Sequence, residues 1–230
     1  KMERIQGLKE YVQTEHYLEG IGIGKEEQKE IQIAYQPLAQ GEYNINYWFV
    51  HPLTGKKLVL RVNTGSQMHL ENQIGYECHA LQLLEASGRT PKVLYVDGSK
   101  KILEHGVLVM EYLPGHAMDY HTELMLAAPC LADIHSVPIP ESEEILIHPQ
   151  NPLKAILEEC EEMFKVYLES PLGDGEKKTY IRELLNLGWK REAEIQLESG
   201  YQCCINTELN STNLLINGEG KSNYLIDWEK

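Results

Sequence analysis

The chain has 230 residues, of which 42% are hydrophobic and 24% charged, which is enough to bury a core in one large domain or two small lobes. Its 35 acidic and 21 basic side chains give a net charge of −14, which repels a phosphate backbone and argues against nucleic acid as a partner. No apolar run approaches the roughly 18 residues of a membrane span, and the first residues lack a signal-peptide core, so no membrane partner is expected. The acidic charge favours a cationic small substrate, although a solubilising surface is the simpler interpretation.

The cysteine pattern indicates a reducing compartment. The chain has five cysteines, an odd number, and no C-x-x-C spacing. A disulfide framework or a zinc site would need paired or regularly spaced cysteines. We therefore expect free thiols and a cytoplasmic location. The cysteines are Cys78, Cys130, Cys160, Cys203 and Cys204.

The first half of the chain predicts a β-rich lobe over residues 1–113. Residues 1–20 have apolar side chains at helical spacing and predict a helix. Another helix is predicted over residues 66–86, between the third and fourth of five strand-like segments. These segments are rich in β-branched and aromatic residues, which is typical of strands. Together they predict a five-stranded antiparallel sheet that carries one helix. The segments read IQIAYQPLAQ, YNINYWFV, KKLVLRVN, KVLYVD and ILEHGVLVMEYL.

The second half, residues 116–230, predicts a mainly helical lobe. Asn151-Pro152 is typical of a helix start, and a second helix is predicted over residues 177–197. The last segment, which begins CCINTELN, predicts an apolar strand, a polar loop and two short strands around a turn at residues 217–220. The fold class is therefore α+β, with a small β lobe followed by a helical lobe.

Two motifs near the end of the chain carry the most specific signal. Residues 206–213 read NTELNSTN, and Ile-Asp-Trp follows at residues 226–228. This pattern resembles H-G-D-L-x-x-x-N followed by I-D-[WF]-E in the aminoglycoside phosphotransferase and choline kinase families. The resemblance implies a protein-kinase-like two-lobed fold and a transfer of the γ-phosphoryl group of ATP, with Mg²⁺, to a small molecule. It places Asn213 and Asp227 as metal ligands and Glu208 in the position of the catalytic carboxylate.

Features upstream agree with this resemblance. Gly41 and Asn44 lie between two predicted strands, where the family has its nucleotide-covering loop. Arg61 occupies the third-strand position of the phosphate-binding cation, and Glu77 on the next helix is its implied acidic partner. Residues 109–115, VMEYLPG, resemble the hinge between the lobes, where the backbone would bond the adenine. The implied nucleotide-binding residues of the hinge are Glu111, Tyr112 and Leu113.

Departures from the family's pattern leave two functions open. The family's His is Asn206 here and its catalytic Asp is Glu208, whose extra methylene displaces the carboxylate. A displacement of ~1 Å can cost ~10²-fold in rate. One function is an active small-molecule kinase. The other is a pseudokinase-like nucleotide-binding module that acts through a protein partner.

The resemblance does not name the acceptor, whose hydroxyl or amine could belong to an aminoglycoside, a choline-like amino alcohol or a sugar. GTP stays open as an alternative to ATP, and the protein is expected to be a monomer or a homodimer. Family members usually continue beyond the last motif with helices that complete the acceptor pocket. The sequence stops at Lys230, so we expect it to lack part of that pocket.

Overall fold

The computed structural model describes residues 5–66, 68–196, 202–217 and 223–229. It divides into two compact units, one comprising Lys1–Leu146 with Cys203–Lys230 and the other comprising Ile147–Gln202. The lobe boundary predicted at residues 109–115 stays a prediction.

The larger unit is built on the predicted five-stranded antiparallel sheet. The strands lie in the order β1-β2-β3-β5-β4. The tight turn between β2 and β3 is closed by the His51 amide donating to the Lys56 carbonyl at 2.8 Å, with Gly55 at φ 68°. The strands are β1 (Gln36–Gln40), β2 (Asn44–Val50), β3 (Lys57–Asn63), β4 (Val93–Asp97) and β5 (Gly106–Glu111).

One face of this sheet is covered by the N-terminal segment. Because side chains alternate along a strand, Tyr47 and Phe49 of β2 face Leu8, Tyr17 and neighbouring apolar residues. The single helix predicted over residues 1–20 is wrong, because the segment forms α1 (Leu8–Tyr11) and α2 (Glu15–Gly20). The break has a local cause: the Thr14 hydroxyl accepts the Tyr17 amide hydrogen at 3.2 Å and so caps a new helix.

Helix α3 (Gln73–Leu84) packs on the opposite face of the sheet, where Ile74, Leu81 and Leu84 are buried. The prediction of a helix over residues 66–86 was too long at its start. Asn72 caps the helix by accepting the Gly75 amide hydrogen at 3.0 Å, which fixes the first helical turn there.

The segments around the last motifs form a second, small antiparallel sheet in the order β6-β7-β8. It contains β6 (His116–Ala117), β7 (Leu214–Ile216) and β8 (Tyr224–Leu225), and α4 (Leu124–His135) follows β6 in the chain. The two predicted short strands are confirmed, but most of the turn predicted between them lies outside the described residues. The apolar strand predicted from Cys203 is wrong. Cys204 packs against the core, but residues 202–206 join no described strand.

The smaller unit is a helical hairpin of α5 (Pro152–Glu169) and α6 (Gly175–Glu194). Asn151 caps α5 as predicted, with its Oδ1 accepting the Lys154 amide hydrogen at 3.0 Å. Helix α6 starts two residues earlier and ends three residues earlier than predicted. Among the described residues, no helix combines the length and the apolar character needed to cross a membrane.

A charged contact holds the N-terminal segment against β4. Asp97 is 8% exposed and accepts hydrogen bonds from the Tyr11 hydroxyl at 2.8 Å and the Ser99 amide at 2.9 Å. His16 Nε2 lies 3.3 Å from the same carboxylate. Burial alone would raise the pKa of Asp97, but the bonds from Ser99 and Tyr11 outweigh it and hold that pKa below its ordinary value.

Replacing Asp97 by Asn is therefore expected to cost about 1–3 kcal/mol at neutral pH, because Tyr11 and Ser99 lose a charged acceptor. A depressed folded-state pKa stabilises the protein above the unfolded value of about 3.9 and stops doing so as the pH falls through the folded value. Urea unfolding of both proteins at pH 7 and near pH 3 should show a difference that shrinks at the lower pH. An equal difference at both values would contradict this account.

Candidate active site

Most of the predicted site residues line one cavity in the larger unit. Its volume is about 410 Å³, and it lies between the β1–β2 loop, β3 and the segments that hold the last two motifs. Glu77, Glu111, Tyr112 and Leu113 do not line it. The predicted residues that do are Gly41, Asn44, Arg61, Glu208, Asn213 and Asp227.

Three carboxylates meet at one end of this cavity. Glu208, Asp227 and Glu229 each bring an oxygen to within 4.8 Å of the others. The prediction missed Glu229, although it fills the last position of the I-D-[WF]-E pattern. Burial and the neighbouring Asp227 carboxylate raise the pKa of Glu229, against the opposing effects of a bond from Asn44 and the charge of Arg61.

Short polar contacts hold the two motifs together. Asn206, in the position of the family's His, donates from Nδ2 to the Asp227 carbonyl at 2.8 Å and accepts the Glu208 amide hydrogen at 2.9 Å. Asn213 donates from Nδ2 to the Glu208 carbonyl at 3.1 Å, so its amide oxygen is the atom that a metal ion could bind. The Ile226 amide donates to the Asn213 carbonyl at 2.9 Å. Asn206 can therefore orient both acidic segments without an imidazole.

Asp227 has an unusual backbone conformation, with φ at 68°. This left-handed region is strained for most residues, but Asp and Asn tolerate it better than others. The turn allows Asp227 to face the cavity while Trp228, the next residue, is 1% exposed in the core.

Arg61 is the cation of the site, and it pairs with the predicted partner Glu77. Its Nη1 lies 2.5 Å from Glu77 Oε1 and 2.7 Å from Asp227 Oδ1, and its Nε donates to Asn46 Oδ1 at 3.0 Å. Glu77 is 1% exposed. Burial alone would lower the pKa of the Arg61 guanidinium. The charges of Glu77 and Asp227 and the hydrogen bonds to them have the larger, opposite effect, so the pKa is raised. The contacts of Arg61 with Glu77, Asp227 and Asn46 use Nε and Nη1, so Nη2 is the group that could bind phosphate oxygens.

The β1–β2 loop closes over the carboxylates through Asn44. The Asn44 Nδ2 donates to Glu229 Oε2, and the Gly41 amide donates to the Asn44 carbonyl at 2.9 Å. The side chain of Asn44 thus contacts the acidic end of the site.

The predicted hinge lies at the end of β5. The Glu111 amide donates to the Lys92 carbonyl at 2.8 Å and the Tyr112 amide to the Lys57 carbonyl at 3.3 Å, so both amides are used inside the sheet. The Lys57 ammonium lies 3.9 Å from the Tyr112 ring centre and 4.1 Å from that of Trp48. Base recognition by Glu111, Tyr112 and Leu113 stays a prediction.

The donor set of the cavity fits a hard divalent cation. Carboxylates of Glu208, Asp227 and Glu229 and the amide of Asn213 offer only oxygen ligands, which Mg²⁺ prefers. The Arg61 guanidinium contacts Asp227 through Oδ1 at 2.7 Å, so Oδ2 is the Asp227 oxygen that a metal ion could bind without displacing Arg61. These residues could therefore hold a Mg²⁺ ion, which would supply positive charge to neutralise phosphate oxygens.

The five-stranded sheet with its helix, followed by the acidic loop segments, defines a kinase-like α+β fold. The family model of the phosphotransferase enzyme family matches residues 34–230. The chain belongs to the phosphotransferase enzyme family, as the motifs predicted. Sequence comparison with curated proteins finds no match.

Several solved structures have a similar fold. An ethanolamine kinase from Plasmodium vivax is 15% identical over 87% of this chain and 57% of its own, with a TM-score of 0.63. A choline kinase from Cryptosporidium parvum is 14% identical over 88% and 60%, with a TM-score of 0.63. A Ralstonia eutropha protein inferred to be an aminoglycoside phosphotransferase is 13% identical over 96% and 64%, with a TM-score of 0.64. The chain thus spans about three fifths of the length of these proteins.

Proposed function

We propose that this protein transfers the γ-phosphoryl group of ATP to a hydroxyl or amine of a small molecule. The observation that carries the proposal is one cavity in which three carboxylates and Asn213 face the buried Arg61–Glu77 pair. Phosphoryl transfer needs this combination, because oxygen ligands hold the metal, a cation binds phosphate and a carboxylate lies beside the attacking group.

The metal ligands in this proposal are Asp227, Asn213 and Glu229. A bound Mg²⁺ would neutralise charge on the phosphate oxygens. Arg61 would bind the phosphates through Nη2, while Glu77 fixes its guanidinium from the buried side. The β1–β2 loop with Gly41 would cover the phosphates, and the Glu111 carbonyl and Leu113 amide would contact the base.

Glu208 is the proposed catalytic residue. Its carboxylate belongs to the same acidic cluster, and Asn206 and Asn213 bond its backbone on both sides. A carboxylate there can orient the acceptor's hydroxyl and accept its proton as the new P–O bond forms and the bond between the γ-phosphorus and the departing ADP oxygen breaks. The contacts of Asn206 support activity despite the departures from the family's pattern, since they fix the loop that carries Glu208.

The proposed acceptor is a small cationic amino alcohol. The net charge of −14 favours a cation, and two of the proteins of similar fold are named as ethanolamine and choline kinases. A cytoplasmic location is part of the proposal, supported by five free thiols.

Replacing Glu208 by Gln tests the catalytic role. We expect ATP-dependent phosphorylation of the preferred acceptor to fall by about 10²–10⁴-fold, because Gln cannot accept the proton. The assay should compare ethanolamine, choline and an aminoglycoside. Glu169→Gln, the same change at an exposed position of α5, is the control and should keep full activity.

Unchanged turnover in the Glu208→Gln variant would remove Glu208 from the mechanism. A wild-type protein that binds ATP with Mg²⁺ but phosphorylates no acceptor, even after Glu208→Asp, would instead favour the pseudokinase-like module.

A further inference from the structure

Four buried polar side chains join the β1–β2 loop to the carboxylate cluster. Asn44, Asn63, Gln73 and Glu229 are 5%, 7%, 4% and 9% exposed, respectively. They come from the start of β2, the end of β3, the first turn of α3 and the residue after Trp228. Buried polar side chains are normally hydrogen-bonded, so the partners of these four residues indicate what they do.

The contacts fix the orientation of the Asn44 amide. Asn63 donates from Nδ2 to Asn44 Oδ1 at 3.0 Å, so the oxygen of that amide faces Asn63. The Asn44 nitrogen must then face the other way, where it donates to Glu229 Oε2. Gln73 holds the same acidic residue by its backbone, donating from Nε2 to the Glu229 carbonyl at 2.7 Å.

Glu229 needs such a donor. Its carboxylate is largely buried and lies beside Asp227 and Glu208, whose negative charges repel it. Without a hydrogen bond, the charged carboxylate would be more stable if the side chain turned towards water. Asn44 supplies that bond without adding a positive charge that would compete with a metal ion.

We propose that Asn44 is a positioning residue that holds the Glu229 carboxylate in the metal site and links the β1–β2 loop to it. The proposal rests on the proposed function, in which Glu229 is a metal ligand. The link runs along the backbone, because the Asn44 carbonyl accepts the Gly41 amide hydrogen and the Tyr43 carbonyl accepts the Thr64 amide hydrogen at 2.7 Å. The order of the loop and the geometry of the metal site therefore depend on one side chain.

Two substitutions separate the hydrogen bond from the charge. Asn44→Leu removes the donor at similar size and keeps the Glu229 charge. Glu229→Gln keeps an oxygen that can accept from Asn44 and removes the charge. Asn44→Ala removes the same donor without apolar bulk and replaces Asn44→Leu if that variant does not fold. Asn186→Leu, at an exposed position of α6, is the matched control.

Three quantities are measured: the Mn²⁺ affinity, from the electron paramagnetic resonance signal of free Mn²⁺; amide hydrogen exchange over residues 41–44; and, for the wild type, the calorimetric affinity for ATP. We expect Asn44→Leu to weaken Mn²⁺ binding about tenfold and to speed exchange in the loop. Glu229→Gln should weaken Mn²⁺ binding at least as much and leave exchange near the wild-type rate. The double variant should bind Mn²⁺ within about twofold of Glu229→Gln alone, because coupled residues are not additive.

Unchanged Mn²⁺ affinity in Asn44→Leu, or fully additive losses in the double variant, would overturn the proposal for Asn44 and leave the kinase proposal standing. Wild-type protein that binds Mn²⁺ but no ATP would overturn the kinase proposal alone. Wild-type protein that binds neither would overturn both.

Discussion

Replacing Asp227 by Asn is expected to lower Mg²⁺-dependent phosphoryl transfer by about 10³-fold while the protein stays folded. A metal ion contributes several kcal/mol to stabilising charge in the transition state, and each 1.4 kcal/mol corresponds to about tenfold in rate. Asp227 lies at the centre of the proposed site, within the carboxylate cluster and 2.7 Å from Arg61 Nη1. Asn is the suitable replacement because it tolerates the φ of 68° better than Ala does.

The rate should be measured at saturating acceptor over a range of Mg²⁺ concentrations. Asp133→Asn, which removes a carboxylate that is 51% exposed, is the control and should keep the wild-type rate. Turnover of the Asp227→Asn variant at the wild-type rate and Mg²⁺ dependence would remove Asp227 from the metal site.

Replacing Arg61 by Met is expected to have the largest effect on stability, about 3–5 kcal/mol, because it leaves a buried charge without its partner. The side chains of Arg61 and Glu77 are 6% and 1% exposed. Arg191→Met, which breaks an ion pair with 71% and 49% exposed partners, should cost less than about 1 kcal/mol.

The stability lost on replacing Arg61 by Met should also depend on pH, and it should be larger at higher pH. Burial already raises the pKa of Glu77, against the lowering effect of Arg61, and without Arg61 it should rise further. The folded variant then binds a proton that the unfolded chain, with a pKa of about 4.3, has released. Stability therefore falls as the pH rises through this window, so denaturant unfolding should show a larger loss at pH 8 than at pH 5. A loss that is constant with pH, or larger at pH 5, would contradict the charged-pair account.

The sheet could be predicted from sequence because its signal is local. Strands β2 to β5 are short apolar segments with β-branched or aromatic residues, and the turn after β2 has its own Pro and Gly. β1 is the exception: its five residues, QPLAQ, are all exposed and include no β-branched or aromatic side chain, and the apolar segment predicted from residue 31 becomes a strand only at Gln36. The boundaries of the helices were harder to predict from the sequence. Asn72 and Thr14 each accept one amide hydrogen that starts a new helix, and periodicity alone did not favour them over their polar neighbours.

The strand predicted from Cys203 failed for a related reason. Its composition fits a strand, but a strand also needs a neighbour to pair with, and no described strand pairs with residues 202–206. Composition can predict that Cys204 is partly buried, whereas pairing depends on the tertiary structure.

The site was predictable where a motif sets the spacing. The order of Glu208, Asn213 and Asp227 predicted that they would lie together, and the Arg61–Glu77 pair followed from the positions of β3 and α3. The contact of Asn44 with Glu229 was not predictable, because the two residues are 185 positions apart and neither side chain indicates its partner. Tertiary packing alone brings them together.

The most direct test of the central claim is a calorimetric titration of the protein with ATP, with and without Mg²⁺. The wild-type protein should bind ATP more tightly with Mg²⁺, and Asp227→Asn should remove that difference while keeping its unfolding temperature close to that of the wild type. ATP binding that is equal with and without Mg²⁺, or no binding at all, would contradict the account of this cavity as a metal-dependent nucleotide site.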